Sequence, residues 1–294
     1  MFRTRIINFK KNISFLLKNN LRVFLEKSID ENLNNFIENI KYEIDELPIK
    51  PIIKPVDATI EELIKSEKSI TRFGDGELQL INGIDIPFQK YCPEIQKKLT
   101  EILKSNDENF MVAIPKVLYS DLSNANFIAK NFWRKNGKYF REILDKYINY
   151  NQVYFSAESS ICYALYQKYN FDEYFFNIRK IFQNQDIILI ANEDIFTNIK
   201  FNIFDQVKNL EHVIAPKKNA FFDYDVILKN ALSSPLKDAF FVIILGPTAT
   251  ILAYDLYKNK RRALDFGHIV SSYDFYMKNY KIDNLESAVK FFEN

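Results

Sequence analysis

The sequence has 294 residues, 47% of them apolar, with 27 Phe and 17 Tyr; that supplies a sizeable core and excludes a disordered chain, which would be poor in aromatics. Forty Lys and Arg face 38 Asp and Glu, a formal charge of +2, which is too even for a dedicated nucleic-acid binder. The two cysteines, Cys92 and Cys162, lie far apart and outside any zinc-type spacing, so they read as reduced thiols.

Residues 1–47 read as helix, because Pro48 is the first Pro or Gly and apolar and charged residues mix at helical spacing. Residues 1–27 are basic (Arg3, Arg5, Lys10, Lys11, Lys18, Arg22 and Lys27 against Glu26), and the balance then turns acidic. That asymmetry permits a peripheral contact with anionic lipid. The apolar positions do not form one clean stripe, which favours packing on the main domain or on a second subunit in a homo-oligomer. No apolar signal region with a cleavage site follows the first residues. The longest apolar run, near Phe240 to Leu245, is far short of the roughly 20 residues that cross a bilayer. The expectation is a cytoplasmic protein, soluble or peripheral at the inner face of the cytoplasmic membrane. Pro48, Pro51 and Pro55 then mark a linker or an edge segment. We divide the chain into an extension and linker, 1–57, and a main domain, 58–294.

Beyond Asp57 short apolar runs alternate with helical patterns. Strands are expected at Ser69–Gly74, Phe110–Pro115, Val153–Ser156, Asp186–Ala191, His212–Ala215, Phe240–Gly246 and Arg262–Gly267. Helices are expected at Pro93–Lys104, Phe140–Tyr147, Asp172–Phe182 and Ala249–Lys258. This alternation indicates an α/β fold with a largely parallel sheet. Sites in such sheets lie beyond the carboxyl ends of the strands, so residues just after a strand carry most weight.

Four stretches meet that condition. In Arg72-Phe-Gly-Asp-Gly-Glu77, Gly74 and Gly76 bracket Asp75 in a chain with six glycines. In an extended loop Asp75 and Glu77 would point the same way and could share one hard cation, Mn²⁺ or Mg²⁺; the other reading is an acidic turn capping a helix. After the short strand at His212–Ala215, Lys217 and Lys218 could offset pyrophosphate charge and Asn219 could read a base edge, unless they are solvated loop residues. Gly246-Pro247-Thr248-Ala249-Thr250 ends the most apolar strand and opens a helix, where backbone amides, the helix dipole and two hydroxyls would attract phosphate. Simple N-capping is the alternative there. Asp265-Phe-Gly-His268 follows the last strand; His268 could bind phosphate or ribose or orient Asp265, or be structural, and Asp274 follows as a further acid or base.

In order and spacing these motifs, with Phe88-Gln-Lys-Tyr91, Phe132-Trp-Arg134, Ala215-Pro216, Asn219-Ala-Phe221 and Ala253-Tyr-Asp255, resemble the GT-D-fold glycosyltransferases of bacteria. The resemblance runs from about residue 59 to about 276. It implies a Rossmann-like α/β domain behind an N-terminal helical extension, and transfer from a nucleotide diphosphate sugar, typically a UDP-sugar. It also implies that Asp75 and Glu77 are a metal-binding D-x-E motif. The expected reaction moves the sugar to a hydroxyl of a bacterial surface glycan or glycoprotein. Arg72, Gly74, Lys217, Asn219, Gly246, Pro247, Thr248, Thr250 and His268 would bind the donor; if transfer inverts the anomeric carbon, Asp274, Asp265 or Glu193 would deprotonate the acceptor, and the sequence leaves inversion or retention open. Two departures stand out. The family's Ser-Arg pair and Gly-Val-Gly-Asn-Asp-like loop are replaced by Glu193–Asn202, and Val270-Ser271-Ser272 follows His268-Ile269 where an acid is usual. They point to a different donor sugar, or to a catalytically weakened subunit that binds nucleotide sugar or scaffolds glycan assembly.

Overall fold

The computed structural model describes residues 50–293. Eight strands form one sheet: β1 (Ile52–Ile53), β2 (Ser69–Arg72), β3 (Phe110–Ile114), β4 (Val153–Ser156), β5 (Asp186–Ala191), β6 (Asn209–Ile214), β7 (Phe240–Ile244) and β8 (Ala263–Asp265). The helices between and after them are α1 (Val56–Lys65), α2 (Asp75–Ile81), α3 (Pro93–Leu103), α4 (Phe127–Leu144), α5 (Cys162–Leu165), α6 (Phe171–Phe182), α7 (Tyr224–Leu232), α8 (Pro247–Lys258), α9 (Ile269–Met277) and α10 (Leu285–Glu293). Leu47–Asn294 is one compact unit. The basic 1–27 segment and its expected membrane contact lie outside the described residues. Among the described residues no helix is long and apolar enough to cross a membrane.

Every strand pairing is parallel, in the order β1-β4-β3-β2-β8-β7-β5-β6. Parallel strands need crossovers, which place helices on both faces and bury the sheet. The sequence shows it: β3 is Phe-Met-Val-Ala-Ile with all five residues buried, and β7 is Phe-Phe-Val-Ile-Ile with four buried. Fully burying one such side chain contributes roughly 1.5–3 kcal/mol. The chain winds outward through β2, β3 and β4, then returns through β5, β7 and β8, so its direction reverses between β2 and β8. That reversal leaves a crevice outside the strand ends, where ligands of open α/β sheets bind.

Ile52–Ile53, within the Pro-containing linker, takes the edge-segment reading: it pairs with β4 at Val153 and Tyr154. Two other elements differ from the sequence expectation. The strand expected at His212–Ala215 is Asn209–Ile214. The expected Phe140–Tyr147 helix is the end of a longer one, α4, which starts thirteen residues earlier at Phe127. Asn126 caps it by accepting the Ala129 N–H at 2.9 Å. The buried residues Ala129, Trp133, Gly137 and Phe140 repeat at intervals of four, four and three along one face. Gly137 and the surrounding Lys, Arg and Asn residues hide that stripe in the sequence.

Candidate active site

A cavity of about 570 Å³ lies over the carboxyl ends of the strands and is lined by residues following every strand from β2 to β8. Its volume falls in the range of small-molecule sites. One wall is polar and the other is aromatic and aliphatic.

The polar wall is fixed at the switch point. Arg72 ends β2 and Asp265 ends β8, its neighbour. Asp265 Oδ2 accepts the Arg72 N–H at 3.1 Å, and Asp265 Oδ1 accepts Arg72 Nη2 at 3.3 Å. Arg72 Nε donates to the Asp265 carbonyl and Nη1 to the Ala157 carbonyl, both at 3.0 Å. Three of its five N–H groups are thus used. Burial raises the Asp265 carboxyl above its ordinary range, and the Arg72 guanidinium opposes that rise. Gly267 is a packing requirement of the pair, since a Cβ there would sit 2.7 Å from Arg72 Nη2. Asp265 is therefore a buried partner of Arg72, and the expectation of a free base at this position is corrected.

Asp75 and Glu77 both line the cavity but are not in an extended loop. They are the first and third residues of α2, so their side chains leave the helix about 200° apart. Glu77 Oε2 accepts the Gly74 N–H at 2.6 Å, as a capping residue does. The expectation that the two acids point the same way is corrected, and Glu77 takes the capping role of the other reading. Burial raises Asp75, while burial and the Asp265 charge push Glu77 up to about 7.

The motif at β7 is also rearranged. Gly246 and Pro247 line the cavity, whereas Thr248 and Thr250 are buried. The Thr250 hydroxyl donates to the Arg72 carbonyl at 2.9 Å, and that of Thr248 to Gln89 Oε1 at 3.4 Å. Both threonines fasten the wall, so the expectation that their hydroxyls face phosphate is corrected. Pro247 has no N–H, and the Ala249 N–H already donates to the Gly246 carbonyl at 2.9 Å. The cavity-facing part of this helix start is therefore Gly246 and Pro247. Gly246 has φ +53°, ψ −144°, a conformation only glycine adopts easily.

Lys217 reaches the cavity from the β6 side. Asn219 does not face it: its Oδ1 accepts the Lys90 N–H at 2.8 Å, tying the loop at Phe88–Tyr91 to the loop after β6. His268 lines the cavity at φ +65°. Its ring stacks on Phe291 at 5.7 Å and meets Phe292 edge-on at 5.3 Å. Burial first, then the Arg72 charge, pushes its pKa down to about 4, so the imidazole is neutral. Asp274 is 1% exposed and its oxygens are spent on the Lys200 and Phe201 N–H groups (2.9 and 3.0 Å) and on Lys278. It is off the cavity, as is the exposed Glu193. Neither can serve as the expected base there.

The sequence reading missed Glu158, a cavity residue two positions past β4, although its place after a strand was the available signal. It also missed that Phe88, Phe132 and Trp133, with Ile128, Ile161 and Phe292, make up the apolar wall.

Four carboxylates (Asp75, Glu77, Glu158 and Asp265) and two permanent cations (Arg72 and Lys217) line the cavity. With these carboxyls ionised, an anionic diphosphate would meet net negative charge, which a divalent cation would offset. Among the described residues no three metal-ligating side chains converge. Mg²⁺ and Mn²⁺ need only one or two carboxylates, with waters and phosphate oxygens completing the shell. Asp75 and Glu77 are donors of that kind and both line the cavity; leaving α2 about 200° apart, they would share a cation only through its waters and phosphate oxygens.

The sequence matches the family described as Glycosyltransferase GT-D fold over residues 70–288. A probable glycosyl transferase Gly of Streptococcus gordonii is 30% identical over 75% of this chain, and the glycosyltransferase GlyD of Streptococcus pneumoniae serotype 4 is 24% identical over 87%. The chain spans about a third (32%) of the length of each of these relatives. Among solved structures, a glycosyltransferase (DUF1792) from Streptococcus sanguinis superposes with TM-score 0.74 at 28% identity, covering 78% of this chain and 86% of that one. A DUF1792 domain described as having a distinct glycosyltransferase fold gives TM-score 0.74 at 27% identity, covering 85% and 88%. The chain belongs to the GT-D-fold glycosyltransferase family.

Proposed function

We propose that the protein transfers a sugar from a nucleotide diphosphate sugar, foremost a UDP-sugar, to a hydroxyl of a surface glycan or glycoprotein. The observation that carries this reading is the placement of Asp75, Glu77, Arg72 and Gly246–Pro247 around one cavity at the β2/β8 switch point. The hard step in such a transfer is departure of the diphosphate. Asp75 and Glu77 would hold Mn²⁺ or Mg²⁺, which when bound supplies positive charge beside the leaving oxygen. Arg72, anchored by Asp265 and Ala157, presents its remaining N–H groups without reorganisation. Lys217 and the positive end of α8 add fixed potential on the same side. Phe88, Phe132, Trp133 and Ile128 exclude water around the sugar and acceptor.

The test is turnover of UDP-sugars with Mn²⁺ by wild type, Asp75→Asn and Glu77→Gln. Full activity of both variants in EDTA would sink the metal assignment. Calorimetry with UDP and Mn²⁺, run beside the assay, separates an enzyme from a subunit that binds without turnover.

A further inference from the structure

The transfer needs a group to accept the proton of the attacking hydroxyl, and the structure removes the candidates the sequence offered. Asp274 and Glu193 lie off the cavity, and Asp265 is held by Arg72. Asp75 and Glu77 stand where the diphosphate and its cation would be. Among the described carboxylates lining the cavity, Glu158 remains.

Glu158 is 2% exposed, yet no Lys or Arg pairs with it among the described residues. Its oxygens are held by neutral donors, Oε1 by the Val117 N–H at 2.9 Å and Oε2 by the Ser156 hydroxyl. The Lys116 and Glu158 N–H groups also favour the ionised carboxylate, and every one of these donors is neutral. Its turn is rigidly placed against the polar wall. The Ser160 hydroxyl donates to the Gly267 carbonyl at 2.8 Å, and the neighbouring Ala157 carbonyl accepts Arg72 Nη1. Val270 and Ser271, which follow His268-Ile269, line the same cavity, and neither is an acid.

We propose that Glu158 is the general base of this chain, an inference that rests on the sugar-transfer reading above. The acceptor oxygen forms a bond to the anomeric carbon as the bond from that carbon to the diphosphate oxygen breaks. The breaking bond's electron pair leaves with the diphosphate. The hydroxyl proton passes to a Glu158 oxygen and then to solvent. Direct displacement inverts the anomeric carbon. Burial raises the affinity of Glu158 for a proton, as a base working near neutrality requires.

The experiment uses the full chain, UDP-glucose, UDP-galactose and UDP-N-acetylglucosamine as donors, and p-nitrophenyl glycosides as acceptors. Glu158→Gln preserves shape and the Val117 contact. It is expected to lower kcat by about a hundredfold or more, with UDP affinity and melting temperature unchanged. Glu158→Ala is expected to regain activity as sodium formate is added, because formate fits the vacated space, and the wild-type product is expected to have the inverted configuration. The proposal is overturned by a retained configuration, or by Glu158→Gln within about threefold of wild type. It is also overturned if activity and melting temperature fall together without formate rescue, which would make Glu158 a clamp on the Lys116–Tyr119 turn. If wild type neither binds UDP nor turns over any donor, the transfer reading falls as well. If wild type turns over and Glu158→Gln matches it, Glu158 alone falls.

Discussion

The carboxyl ends of β2 and β8 lie side by side and each has an acid at or just beyond it, yet the two acids have opposite fates. Asp265 is 2% exposed and is locked by the side chain and backbone of Arg72. Asp75, three residues beyond Arg72, lines the cavity half-buried with no basic partner among the described residues. The same contrast separates Glu158, held by neutral donors, from Asp274, which is tied to Lys278 and two backbone amides. A carboxylate that already has its counter-charge is part of the scaffold. One buried without a cation is destabilised until a ligand supplies it.

Variants can break this contrast. The largest effect is expected from Arg72→Ala, which leaves Asp265 buried and uncompensated. Urea unfolding should show a loss of about 3–5 kcal/mol, and replacing Asp265 by Leu in an Arg72→Met background should recover more than half of it. Asp75→Asn should do the reverse. It should lower turnover by roughly a hundredfold or more, about 3 kcal/mol of barrier, while leaving the unfolding midpoint unchanged or raised. Asp274→Asn sharpens the comparison, because it should cost about 1.5–3 kcal/mol of stability and leave kcat near wild type. An equal loss of kcat would return Asp274 to the site.

The smallest effect concerns His268. Its folded pKa is about 4 against 6.5 for the free side chain. Below pH 6.5 the unfolded chain binds a proton that the folded chain refuses, so stability falls as pH drops from 6.5 towards 4, on the order of 1–3 kcal/mol. Above pH 6.5 the group contributes nothing. His268→Asn, which tolerates the left-handed backbone, should flatten this acid limb in pH-dependent melting.

Much of the fold was legible because its signals are local. Strands such as Asp186–Ala191 and Val153–Ser156 agree residue for residue with the apolar runs, since a parallel sheet buried on both faces makes strands continuously apolar. Helix α4 was half hidden, because its stripe passes through Gly137 and is crowded by polar residues. The site was legible as strand-following motifs: Arg72–Glu77, Gly246–Thr250 and Asp265–His268 all reach one crevice. The direction of each side chain within those motifs was not legible.

The amino-acid order by itself determined the α/β alternation, the parallel sheet and which loops gather at its carboxyl edge, because hydrophobic periodicity and glycine placement act over a few residues. Tertiary structure alone decided which polar groups face the cavity. Thr250, Asn219 and Asp274 turned inward because partners 178, 129 and 74 residues away in sequence (the Arg72 carbonyl, the Lys90 N–H and the Lys200 N–H) needed them. Glu158 was left on the cavity wall with neutral partners. Buried polar groups must be satisfied by whatever the fold brings near, and that accounting closes only across the whole chain.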